Sequence, residues 1–199
     1  MAEGIEVREA ERPDAPEIAE IHLASRREAM PYLHQPYTDQ DTRDWFARAV
    51  GDRPARWWIA QVEHEIVGYM RIDGESCSHL YVRPGWQRRG VGLGLLNTAK
   101  ALSPLRLELW AFQRNTNARA FYESQGFRAV QFTDGRNEEN EPDLNMNGSQ
   151  LDEPASLLKL VASFPSAGAF GDRRWRGRRQ VAIGPPSLFG LVRRDDLGP

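Results

Sequence analysis

The sequence predicts a mixed α/β chain of the α+β kind, and three observations carry that prediction. Runs that alternate with period two, such as Ile5 to Ala10 and Leu105 to Trp110, are interleaved with runs whose apolar residues recur at helical spacing. Two strand-like runs, 57–62 and 66–72, flank the short polar stretch Glu63-His64-Glu65 and predict an antiparallel hairpin. A further run, 77–82, leads straight into a glycine-rich loop and an apolar helical face. At 199 residues the chain holds one domain with a proper core and room for an appendage.

The elements follow in order. Ile5 and Val7 face one way and Glu6 and Arg8 the other, as in a strand with one buried face. Asp14-Ala15-Pro16-Glu17 predicts a capped helix start, and Ile18, Ile21, His22 and Ser25 share the face behind it. His22 is read there as a hydrogen-bonded core or interface residue. The prolines of 30–37 stop that helix, and the stretch offers Tyr32 and His34 as a substrate wall or as a packed aromatic loop. Thr38 caps a second helix whose apolar side is Trp45, Phe46, Ala49 and Val50. After the hairpin and the strand 77–82, a helix presents Val91, Leu95, Leu96 and Ala99 and ends before Pro104. Leu105, Leu107 and Leu109 mark the next strand. Asn115 caps a helix that stops at Gly126. Two last strands, 127–132 and 143–146, enclose a loop with Asp134, Glu138, Glu139 and Glu141, which is read as a solvated charged loop able to attract a cation.

The glycine-rich loop is the first stretch that carries chemistry. Gly90 and Gly92 leave backbone N–H groups uncovered at a helix start, where unpaired donors and the helix dipole favour a phosphate or pyrophosphate. Arg88 and Arg89 add positive charge. A dinucleotide fingerprint fails because Leu95 stands five positions after Gly90, where it needs glycine. A P-loop fails because no Lys-Ser/Thr follows Gly90. Gln87-Arg88-Arg89-Gly90-Val91-Gly92 meets a third pattern, Gln/Arg-x-x-Gly-x-Gly/Ala. Preceded by Leu80-Tyr81-Val82-Arg83-Pro84, it resembles the acetyl-CoA loop of the GCN5-related N-acetyltransferase (GNAT) superfamily.

A second signature of that superfamily is met at every fixed position by Asn115, Ala118, Phe121, Tyr122, Gly126 and Phe127. The resemblance covers about residues 5 to 146. It implies a GNAT fold, with a mixed, mostly antiparallel central sheet flanked by helices. It also implies transfer of acetyl from acetyl-CoA to a primary amine by direct attack, the amine being a small amine, a polyamine, an aminoglycoside or a peptide N-terminus. Leu80, Tyr81 and Val82 would hold the pantetheine arm, residues 87–92 the pyrophosphate, and Asn115 the cofactor or its own helix cap. Tyr122 would act as general acid toward the departing thiolate; on spacing alone it is a core tyrosine. The base is Glu75, His79 or Glu108, or a water relay with no single base. A homodimer, common in the family, is admissible. The reading from a different class is a non-catalytic acetyl-CoA-binding regulatory module.

Composition narrows the rest. Acidic and basic residues nearly balance, 28 against 26, so charge makes no case for nucleic acid or an acidic membrane. A single cysteine, Cys77, excludes an internal disulfide and a multi-cysteine metal site, and no metal is expected. The first residues lack the basic and apolar regions of a signal peptide, and no apolar run reaches membrane-spanning length. The expectation is a cytoplasmic protein. The domain is expected over 1–147, followed by an extension, 148–199, with no assigned role. It contains a short amphipathic run at 156–164 and a basic run at 173–179 that lacks any repeating pattern and reads as disordered or incidental.

Overall fold

A computed structural model describes residues 4–52 and 54–148. The extension expected beyond residue 147 falls, save for Gly148, outside the described residues. Strands β1 (Glu6–Glu9), β2 (Arg56–Val62), β3 (Glu65–Asp73), β4 (Ser76–Val82), β5 (Leu107–Phe112), β6 (Arg128–Phe132) and β7 (Asp143–Gly148) form one sheet in the order β1-β2-β3-β4-β5-β7-β6. Every neighbouring pair is antiparallel except β4–β5, which is parallel. Helices α1 (Ala15–Ala29), α2 (Asp39–Ala49), α3 (Val91–Leu102) and α4 (Thr116–Ser124) cover the sheet.

The period-two pattern of the strands sorts their side chains into two cores. Trp57, Ile59 and Tyr69 pack with Ile18 and Ile21 of α1 and Phe46 of α2. Their strand neighbours Ala60 and Met70 point the other way, toward Val91, Leu95 and Leu96 of α3 and Tyr122 of α4. Gly68 in β3 lets α3 approach closely: a Cβ there would lie 2.8 Å from Val91 Cγ1 and 3.0 Å from the Tyr81 carbonyl oxygen. The β2–β3 hairpin turns through Glu63 and His64, both with positive φ, as a tight two-residue turn requires. No described helix is long and apolar enough to cross a membrane.

Three details differ from the sequence expectation. The capping box sits one turn earlier, at Glu11 and Asp14, over a 3-10 turn Arg12–Asp14. Arg8 donates two hydrogen bonds to the Asp14 carboxylate, at 2.8 and 2.9 Å, and the Glu11 N–H donates a third, so the Asp14 side chain makes no capping bond to α1. Leu105 is 61% exposed, because β5 begins only at Leu107. The acidic loop is not simply solvated. Glu141 is buried, and the Glu139 carboxylate lies 3.0 Å from the Arg26 guanidinium with both side chains about nine-tenths buried. Asn137 Nδ2 donates to the Glu141 carbonyl and to Asp143 Oδ2, both at 2.8 Å, which folds the loop back on the domain. The Thr38 and Asn115 caps form as the sequence predicts, and Asp41 completes a capping box with Thr38.

Candidate active site

The site begins where two strands part. β4 and β5 pair only at Ser76–Glu108 and Cys77–Leu109, so β4 has no partner strand on that side from Ser78 onward. Backbone N–H and C=O groups are obligatory hydrogen-bonding groups, and a bared run of them suits an extended ligand laid alongside. Cys77, Ser78, His79, Leu80 and Tyr81 from β4 and Trp110, Ala111 and Phe112 from β5 line the pocket that the parting opens. Asn115, Ala118 and Tyr122 close it from α4, and His22, Arg26 and Glu139 close it from α1 and the acidic loop.

The glycine loop meets the end of that strand. A Cβ on Gly92 would lie 3.6 Å from Phe121 and from Val82, and 3.9 Å from Leu80, so the start of α3, the end of β4 and α4 converge. Gly90 is left-handed (φ +89) and Arg88, a residue with a side chain, is left-handed too (φ +59). Such a turn before a helix gathers N–H donors into a concavity for an anion, and the first-turn donors of α3 have no intrahelical acceptor. The residues therefore fit a pyrophosphate. Arg88 and Arg89 are exposed, with Arg89 over the Trp86 ring at 5.1 Å. The Gln87 side chain is used within the protein, accepting from Gly85 N–H at 2.8 Å and donating to Glu28 at 3.3 Å. Val91 is buried in the core. Val82 does not line the pocket; its carbonyl accepts from Ser25 Oγ at 2.8 Å.

Tyr122 is buried against Phe121 and Phe127. Burial, then the neighbouring Cys77 and Tyr81, pushes its phenol far above the usual range, so it keeps its proton. Burial pushes the Cys77 thiol up to about 12, which leaves it protonated and a poor nucleophile at neutral pH. Asn115 lines the pocket and also caps α4, its Oδ1 accepting from Ala118 N–H at 3.1 Å.

Of the three base candidates, the structure brings only His79 to the pocket. Glu75 and Glu108 flank Arg106, at 3.9 and 3.2 Å, at the closed end of the β4–β5 pair. His79 Nδ1 lies 3.1 Å from Ser78 Oγ, which accepts from Arg71 at 2.8 Å. Burial, with Arg71 and Arg26 nearby, pushes the imidazole down to about 3. Tyr32 and His34 line neither this pocket nor the adjoining one. Tyr32 packs under Arg114, 4.0 Å from its ring centre, and His34 is exposed. Gln35, Pro36 and Tyr37 from the same stretch line the adjoining pocket, together with His22, Arg26, Thr42, Glu138 and Glu139. Sequence reasoning missed Arg26 and assigned His22 to the core. The available signal was a histidine and an arginine four apart on an otherwise apolar helical face. Among the described residues no group of three or more His, Cys, Asp or Glu is placed to hold a metal ion.

Known proteins resemble the chain in sequence and in fold. The family described as acetyltransferase (GNAT) domain matches residues 53–129. Peptidyl-lysine N-acetyltransferase YiaC of Escherichia coli is 30% identical over 127 residues, 62% of this chain and 84% of its own length. In fold, the solution structure of apo YjaB from Escherichia coli superposes with a TM-score of 0.62 at 23% identity, over 73% of this chain and 99% of that one. The PaiA N-acetyltransferase of Thermoplasma acidophilum, solved with coenzyme A, gives 0.56 at 17% identity over 73% and 98%. On these matches the chain belongs to the GNAT superfamily and is an acetyltransferase whose acetyl donor is acetyl-CoA.

Proposed function

We propose that the enzyme moves the acetyl group to a primary amine by direct attack, with Tyr122 beside the departing sulfur and the 87–92 loop beneath the pyrophosphate. The observation that carries this reading is that bared β4 and a proton-bearing Tyr122 line one pocket, with the left-handed loop at the end of that same strand. Acetyl-CoA supplies an acyl group activated as a thioester; the chain's residues bind, orient and handle protons. The β4 backbone beyond Cys77 offers N–H donors for the pantetheine arm and for negative charge that develops on the carbonyl oxygen. Because burial weakens the Tyr122 phenol as an acid, its contribution is a hydrogen bond to sulfur that strengthens as thiolate charge builds. An alkylammonium has a pKa of about 10 and must lose a proton before attack. His79, neutral with its pKa pushed down to about 3, is too weak a base to take that proton, so the proton leaves to water.

Thiol release with an amine acceptor tests the assignment of roles. Tyr122→Phe should lower kcat by about 100-fold with little change in the KM for acetyl-CoA. Undiminished turnover in that variant would remove Tyr122 from the chemistry.

A further inference from the structure

His22 is 1% exposed and lines both the reaction pocket and the adjoining one. Its Nδ1 lies 2.7 Å from the Tyr69 hydroxyl, and its Nε2 is buried with no hydrogen-bond partner among the described residues. Tyr69 is fully buried, and His22 is the partner its hydroxyl has among those residues. Leaving a buried phenol proton unpaired is costly, so the hydroxyl donates to Nδ1 and the imidazole carries its own proton on Nε2. Burial, then Arg26 and His79, holds the His22 pKa well below the usual histidine range, so the ring is neutral. His22 therefore presents one neutral N–H donor to the acceptor side of the site.

A complementary group lines the adjoining pocket that His22 also lines. Glu138 lines the adjoining pocket, and its Oε2 is buried without a partner among the described residues. One open donor and one open acceptor match a peptide unit, which brings a C=O and an N–H. A polyamine brings donors alone and leaves the His22 N–H unserved. Resting on the reading that the amine enters through these pockets, we propose that His22 selects the acceptor: its Nε2–H donates to the carbonyl oxygen of a peptide unit adjoining the reacting amine, and Glu138 accepts that unit's N–H. A site built to hydrogen-bond its substrate discriminates against analogues that lack the partner, because its own buried groups are then left unpaired.

The test measures kcat/KM on the full chain with four acceptors: a peptide with a free N-terminus, an α-blocked lysyl peptide, spermidine and butylamine. Wild type should favour one of the peptides over spermidine. His22→Phe should lower kcat/KM for that peptide roughly 10- to 100-fold more than for butylamine, mainly through KM. His22→Gln, which keeps an N–H near the Nε2 position, should recover most of the loss. Glu138→Ala, on a partly exposed loop, should shift the same ratio in the same direction and serves where His22→Phe does not fold. Equal losses for peptide and butylamine, or a wild-type preference for spermidine, would overturn the proposal while leaving amine acetylation in place. No turnover on any amine would overturn the underlying reading, and this proposal with it.

Discussion

Gly90 and Tyr122 owe their positions to two different constraints, one on the backbone and one on burial. Gly90 holds φ +89 at the N-cap of α3, a conformation that a residue with a Cβ adopts at a cost of about 1–2 kcal/mol. Gly90→Asp adds that strain and a negative charge where the donors of the loop converge. Acetyl-CoA binding, measured by calorimetry, should be lost in this variant while the fold survives; retained tight binding would refute the placement of the pyrophosphate. Spacing within one helix made Tyr122 a core residue and Asn115 a cap, and both are; that they line one pocket was suggested only by the resemblance to the second signature. The base candidates could not be told apart in that way. Glu75, His79 and Glu108 are near one another in the strand pattern, but only the parting of β4 and β5 after Cys77 separates His79, in the pocket, from two glutamates held at Arg106.

At the scale of elements, the site depends on how closely α3 lies on the sheet. A Cβ on Gly68 would fall 2.8 Å from Val91, the first residue of α3, and 3.0 Å from the backbone of Tyr81. Neither neighbour can give way easily, one being a stiff β-branched side chain and the other a strand carbonyl. Gly68→Ala should therefore cost about 1–3 kcal/mol in urea unfolding and raise the KM for acetyl-CoA by displacing the loop. A variant as stable as wild type would show that the helix has slack. The hairpin, the Thr38 cap and the Asn115 cap could be read directly, since each is settled within a few residues. The cap of α1 could not, because Arg8, on a neighbouring strand, claims the Asp14 carboxylate. Local pattern carries no information about such a competitor.

For the whole molecule, burying two histidines next to the site ties stability to pH. His22 and His79 both have folded pKa values depressed below the ordinary value of about 6.5. As pH falls through that value the unfolded chain takes up protons that the folded one refuses, so the free energy of unfolding falls. The loss should reach about 2 kcal/mol for His79 at pH 5, with His22 adding to it in the same direction, and urea midpoints measured from pH 7 to pH 5 report it. A midpoint that does not change over this range would contradict the burial of both rings, and His79→Gln should make the dependence shallower. The sequence revealed the sheet and the family. It did not reveal that the acidic loop folds inward, because Arg26 and Glu139 are 113 residues apart and meet only when the two ends of the domain close over the pocket. That contact forms one side of the pocket at the β4–β5 opening. The most direct measurement of the central claim is release of coenzyme A thiol from acetyl-CoA as primary amines are added one by one. Thiol release that depends on the amine and leaves a stoichiometric acetylamide is the predicted result; acetyl-CoA binding with no amine-dependent release from any of them would contradict it.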